Sequence, residues 1–152
     1  MSRQGRVVLI AVVMLALGGL LPETPDAATQ ERALRSSGFD WNDVKAEATK
    51  VGAVRRFFRL PTSTVGELEC HVTTLNPGES PHPPHRHPEE EIIIVRDGNV
   101  ESFLEGQTRR LGPGSVIFQA SNELHGIRNV GEGPATYHVF KWSGPPVEKT
   151  KP

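Results

Sequence analysis

Short apolar runs, each ended within a few residues by glycine, proline or asparagine, fill the chain beyond residue 60, and this rhythm limits what it can fold into. Thirteen prolines and fifteen glycines among 152 residues would break long helices repeatedly, because proline lacks the amide a helix interior needs and its ring collides with the preceding turn. The same residues serve tight turns well. The expectation is therefore all-β, with strands at 67–75, 84–87, 91–96, 99–105, 107–111, 116–119, 124–129 and 134–142 forming a sandwich or barrel. Asp97-Gly98-Asn99 and Glu105-Gly106-Gln107 read as hairpin turns. Residues 44–51 fit helix or strand by periodicity, but Thr49, Gly52 and the strand-like 54–60 favour β.

Length fits one domain. Arg3 and Arg6 precede a charge-free run at 7–21, the pattern of a secretory signal and short for a membrane span. Residues 1–28 are thus expected to be a signal peptide, or an anchor if uncleaved, since no clean Ala-x-Ala site follows. The protein is then exported, periplasmic or secreted, or held at the membrane by its N-terminus. Residues 29–64 read as linker and N-terminal strands, 65–142 as the barrel core and 143–152 as a flexible polar tail. The lone Cys70 cannot form an intramolecular disulfide and is read as a small buried hydrophobe. A net charge of −1 supplies no broad basic surface, so nucleic acid is not an expected partner.

Chemistry concentrates in two segments. The first holds His85, His87 and Glu91; the second holds His125. If 84–87 is extended, His85 and His87 share one face and Arg86 points away. Pro88 then turns the chain, and Glu91 opens the β-branched run Ile92-Ile93-Ile94-Val95. Three imidazoles and one carboxylate suit one divalent transition metal (Fe, Mn, Ni, Co, Cu or Zn) and not Ca or Mg, which prefer oxygen shells. Four such groups inside an apolar barrel would be costly without a cation.

Other polar residues carry weaker expectations. His82, in a Pro-rich segment, is read as solvent-facing. Glu89 and Glu90 form an acidic rim, with Glu90 available to hold a ligand histidine by its ring N–H. His71 and His138 lie on separate expected strands, where only one parity faces the cavity; either could serve as a pocket acid or base, with an ordinary strand histidine the favoured reading. Asn129, four residues beyond His125, is expected to hold the turn or a ligand. Tyr137, Lys141, Trp142, Arg109 and Arg110 are possible contacts for an anionic or aromatic ligand, with at most one of the two arginines reaching it. Leu111, Val116, Phe118, Ile127, Val139 and Phe140 read as core and wall. If Glu91 faces inward so do Ile93 and Val95, leaving Ile92 and Ile94 outside to be covered by N-terminal strands or by a second subunit; a dimer is preferred.

With these residues in hand, the chain resembles a small single-domain cupin of the cupin-2 type. Gly78, His85, His87, Glu91 and Gly98 follow the family's first motif with one extra residue after the first glycine. Gly114, His125 and Asn129 follow the second, with Ala120 where the family has Pro and Asn122 where it has Gly; Asn tolerates the left-handed turn. Over about residues 65–142 the resemblance implies a jelly-roll barrel, a transition metal on His85, His87, Glu91 and His125, and frequently a homodimer. It does not fix a reaction. The leading expectation is a metal-dependent enzyme acting on a small organic molecule, dioxygenase-like or isomerase/lyase-like, with no catalytic base assigned. The alternatives are a non-catalytic module binding a sugar or other small molecule, and a purely structural metal.

Overall fold

The structure, a computed structural model, describes residues 33–144. The expected signal or anchor at 1–28 lies outside the described residues, as does the tail beyond Gly144. Nine strands and no helix are found among the described residues: β1 (Glu47–Thr49), β2 (Gly52–Leu60), β3 (Glu67–Leu75), β4 (Glu90–Asp97), β5 (Val100–Leu104), β6 (Gln107–Leu111), β7 (Val116–Gln119), β8 (His125–Asn129) and β9 (Ala135–Ser143). They form a six-stranded sheet in the order β1-β2-β3-β9-β4-β7 and a three-stranded sheet in the order β6-β5-β8, with every pairing antiparallel.

Strand alternation decides what faces the interior. Leu75, Ile93, Val95, Ile117, Tyr137 and Val139 from the large sheet meet Val100 and Ile127 from the small one in one buried cluster. Each fully buried side chain of this kind contributes roughly 1.5–3 kcal/mol relative to exposure. The expected parity of β4 holds: Ile93 and Val95 are buried while Ile94 is exposed. Cys70 is buried and unpaired, as expected.

Three expectations need correction. Residues 84–87 form no strand; only an isolated bridge joins His85 to His125, because Pro81, Pro83, Pro84 and Pro88 remove the amides a continuous ladder would use. Asp97-Gly98-Asn99 makes no hairpin, since β4 pairs with β7 and β9 whereas β5 pairs with β6 and β8. The turn instead carries the chain from one sheet to the other. Gly98 is required there: its φ is 79°, and a methyl group would lie 2.6 Å from the Pro134 carbonyl oxygen. Finally, Val116 and Phe118 are 62% and 52% exposed and Phe140 is half-buried, so all three belong to the outer face. The Glu105-Gly106 hairpin between β5 and β6 forms as expected, with both residues at positive φ.

On the outside of the large sheet the N-terminal segment supplies partial cover. Trp41 lies under the guanidinium groups of Arg55 and Arg96, with centroid distances of 4.4 and 4.6 Å, and Phe39 packs on Phe57 and Phe58.

Candidate metal centre

The bridging loop between β3 and β4 brings two imidazoles to the mouth of the barrel, and backbone hydrogen bonds hold it there. The His85 N–H donates to the His125 carbonyl and the His125 N–H returns the bond to His85, both at 3.0 Å. Asn122 N–H donates to the His87 carbonyl at 2.8 Å, from the left-handed conformation expected of it, φ 60°. Ser121 Oγ donates to the Pro88 carbonyl at 2.7 Å. Arg86, pointing away, donates to Glu105 at 2.7 Å and to the Asn122 carbonyl at 2.6 Å. The two sequence segments are thus stitched to each other before any ligand is considered.

Ring orientation follows from the same backbone. His87 Nδ1–H donates to the Glu89 carbonyl at 3.0 Å and His125 Nδ1–H to the Glu123 carbonyl at 2.8 Å. Each bond fixes the tautomer that leaves Nε2 with a free lone pair. His125 Nε2 is buried without a partner, and so is His85 Nδ1. Orphaned buried nitrogens are costly, and a bound metal ion would remove that cost. One potential ligand atom from each of His85, His87 and His125 lies within 4.8 Å of the others, so the residues present fit a transition metal. Glu91 stands 3.7 Å from His87 Nε2, outside that three-membered group, and lines the same cavity.

That cavity holds about 130 Å³. Of the residues considered in sequence, Tyr137, Lys141 and His71 line it. His138 faces the opposite side, against Phe57, Phe58 and Cys70. His82 is exposed but stacks edge-on against His85, with ring centroids 4.0 Å apart. Neither Arg109 nor Arg110 reaches the cavity; both are exposed on β6. Glu90 accepts a hydrogen bond from Trp142 Nε1 at 3.0 Å, so it holds no histidine and Trp142 is not a cavity group. Glu89 takes the place expected of Glu90, its carboxylate 3.3 Å from His87 Nδ1. Asn129 holds the turn: its amide donates to the carbonyls of Leu75 and Gly133, and its oxygen accepts from Gly131 N–H.

Sequence reasoning missed one residue that lines the cavity, Gln119, and one that holds two lining residues, Glu69. Gln119 pairs directly with Glu91 across β7 and β4 and is buried with its Oε1 unpartnered. Glu69 sits opposite Lys141 on β9. Both were findable from parity, Gln119 as the inward partner of Ile117 and Glu69 as the residue two before His71.

A cupin-domain model, Cupin_2, matches residues 71–141. Those residues form a cupin domain of this type. Solved structures of similar fold include KdgF from Halomonas sp., 22% identical over 70% of this chain and 94% of that one with a TM-score of 0.57. Another is the polyketide cyclase RemF from Streptomyces resistomycificus, 24% identical over 74% and 82% with a TM-score of 0.56. These likenesses concern the fold. A curated relative, the dimethylsulfoniopropionate lyase DddQ of Ruegeria pomeroyi, is 44% identical over 48 residues, 31% of this cupin and 24% of the lyase. The cupin therefore spans about a quarter of that enzyme's length.

Charge in the metal-free cupin is finely opposed. Burial, followed by the neighbouring His82, His125 and His87, pushes His85 down to about 4, and burial also lowers His71, His125 and His138. The folded state disfavours the charged form of each of these rings, so the unfolded chain binds more protons below its ordinary 6.5; the resulting stabilisation is present above that value and is lost as pH falls. Glu91, raised to about 7 by burial, acts oppositely, its contribution being present below about pH 4.5 and lost as pH rises through 7. All four rings act in one sense, against a single carboxylate. The thermal midpoint of metal-free protein is expected to fall between about pH 6.5 and about pH 5, as read by circular dichroism; a rise would mean that Glu91 governs.

Proposed function

We propose that this cupin is a metal-dependent enzyme acting on a small organic molecule, with His85, His87 and His125 holding one divalent transition metal and Glu91 completing the set. The observation that carries the reading is the buried, unpartnered His125 Nε2 facing two further imidazoles whose rings lie within 5.1 Å of each other, centroid to centroid. When bound, the metal supplies Lewis acidity or a redox centre. The chain's own residues orient the rings, exclude bulk water with Ile93, Ile127 and Val139, and leave a cavity the size of about four waters of liquid. The match to a lyase in one stretch supports reaction classes that move protons over those that consume oxygen.

The setting follows the sequence: the charge-free run behind Arg3 and Arg6 supports an exported protein, cleaved or anchored. A homodimer is supported by the outer apolar surface of β4 and β7, where Ile94 neighbours Val116 and Ile92 neighbours Phe118.

Elemental analysis of protein purified without added metal or chelator tests the reading, followed by oxygen-uptake assays and a screen of small organic acids and sugars. About one transition-metal ion per chain together with turnover is the expected result. Retention of a small molecule without turnover would make the site a binding module, and metal-free native protein with full activity would overturn the proposal.

A further inference from the structure

Beside the three-histidine group, the wall formed by β3 and β9 carries a second set of ionisable residues. His71 Nδ1–H donates to Glu69 Oε1 at 2.9 Å. This fixes the tautomer that leaves Nε2 as the lone-pair nitrogen, and no hydrogen bond among the described residues occupies it. His71 lines the cavity shared with His85, His87 and His125. Glu69 is held in turn by Lys141 Nζ at 3.5 Å and Arg59 Nε at 3.9 Å. Lys141 is the only Lys or Arg lining the cavity among the described residues, and register places it between Glu69 on β3 and Glu91 on β4. The arrangement is a base oriented by a carboxylate, with one cation alongside, and neither Glu69 nor His71 belongs to the candidate ligand set.

We propose that His71, oriented by Glu69, is the general base of this site and that Lys141 pairs with the substrate's carboxylate, so that the substrate is a small carboxylic acid with a hydrogen on carbon next to a carbonyl. This rests on the metal-site reading and deepens it. In the step, the C–H bond breaks and its proton forms the N–H bond at His71 Nε2. The electron pair of that bond moves into the carbon–carbonyl linkage and the carbonyl oxygen takes the negative charge as an enolate. Return of a proton from the imidazolium to carbon regenerates the neutral ring, so an isomerisation or a solvent exchange needs no co-reactant. Glu69 touches no substrate; it is a positioning residue that sets the ring's tautomer and stabilises the imidazolium.

Three charged groups face the ring. Glu69 on its own strand favours its protonated form, whereas Lys141 from β9 and Arg56, directly across on β2, oppose it. The test uses zinc-loaded full-length protein and pyruvate, whose methyl hydrogens exchange with D2O through the enolate and are followed by proton NMR. Wild type is expected to speed exchange above free zinc, and His71→Ala to slow it about 100-fold or more at unchanged zinc content. Lys141→Met should raise the pyruvate concentration at half-maximal rate. Glu69→Gln should move the acidic limb of the pH–rate profile to lower pH, because the ring loses the carboxylate that favours its protonated form; a purely structural role would leave that limb in place. Nitrogen NMR of metal-free protein should show His71 protonated on Nδ1. Equal exchange in His71→Ala and wild type at equal zinc content, or a ring protonated on Nε2, overturns this proposal alone. Protein that takes up no zinc overturns it together with the metal-site reading.

Discussion

Replacing His125 by alanine is expected to abolish metal loading, while His82→Ala, one ring away, leaves it almost unchanged. His125 is 2% exposed, and its tautomer is locked by the Glu123 carbonyl. Its Nε2 has no hydrogen-bond partner among the described residues. Loss of even an outer partner of a ligand costs roughly 10–100-fold in metal affinity, so loss of a ligand should exceed about 100-fold. His82 touches His85 only through ring stacking, and its own Nδ1 contacts the neighbouring Pro83 carbonyl at 3.1 Å. Stability separates the two states of the protein. Loaded wild type gains about 2.7 kcal/mol at a free metal concentration 100 times the dissociation constant, and His125→Ala loses that gain. Without metal the two proteins should differ much less, because the substitution also removes an unsatisfied buried nitrogen. Metal content by mass spectrometry and paired thermal melts read both effects. Equal loading of His125→Ala and wild type would refute the ligand assignment.

The second large effect is expected at Asn129, where no metal chemistry is involved. Its side chain is fully buried and makes three hydrogen bonds to backbone groups that belong to different parts of the chain. Two are donated, at 3.0 Å to Leu75 and 2.9 Å to Gly133, and one is accepted from Gly131 at 2.9 Å. Alanine would leave two carbonyls and an amide without partners. At about 1–3 kcal/mol for each unsatisfied buried group, with partial rescue by entering water, Asn129→Ala should destabilise the fold by about 2–4 kcal/mol in urea unfolding. Asn129→Asp should also destabilise, because a carboxylate can replace the acceptor but neither donor. A change below about 0.5 kcal/mol, the range of an ordinary surface substitution, would show that the turn does not depend on this amide.

Much of this was legible in the letters. Strands 67–75, 107–111 and 116–119 match β3, β6 and β7 at both ends, because turn residues bound them. The inward parity of Glu91, Ile93 and Val95 was legible for the same reason: a side-chain period of two admits no intermediate answer. What failed was non-local. The segment 84–87 has the alternation of a strand, but its ladder would need amides that proline lacks, and its single bridge partner, His125, lies 40 residues away. Nothing local distinguishes a hairpin at Asp97-Gly98-Asn99 from a corner between sheets, since the pairing of β4 with β9 is decided by distant residues. Phe118 and Val116 looked like core because apolar runs do not announce which sheet edge they occupy; β7 is an edge strand, and its outward face lies open. In the site, the residue types were readable and the partners were not. Glu89 replaced Glu90, and the Glu69–His71 pair was missed, because hydrogen-bond geometry depends on how a loop lies and not on spacing alone.

The central claim is that His85, His87 and His125 bind a single cation. Anomalous diffraction from crystals of zinc-loaded protein, recorded at the zinc edge, tests it most directly. The account predicts one strong peak per chain at the barrel mouth, about 2.0–2.1 Å from a nitrogen of each of the three rings, with the Glu91 carboxylate turned toward it. A peak on exposed His82 or elsewhere on the surface, or no peak between the three rings at full zinc occupancy in solution, would contradict it.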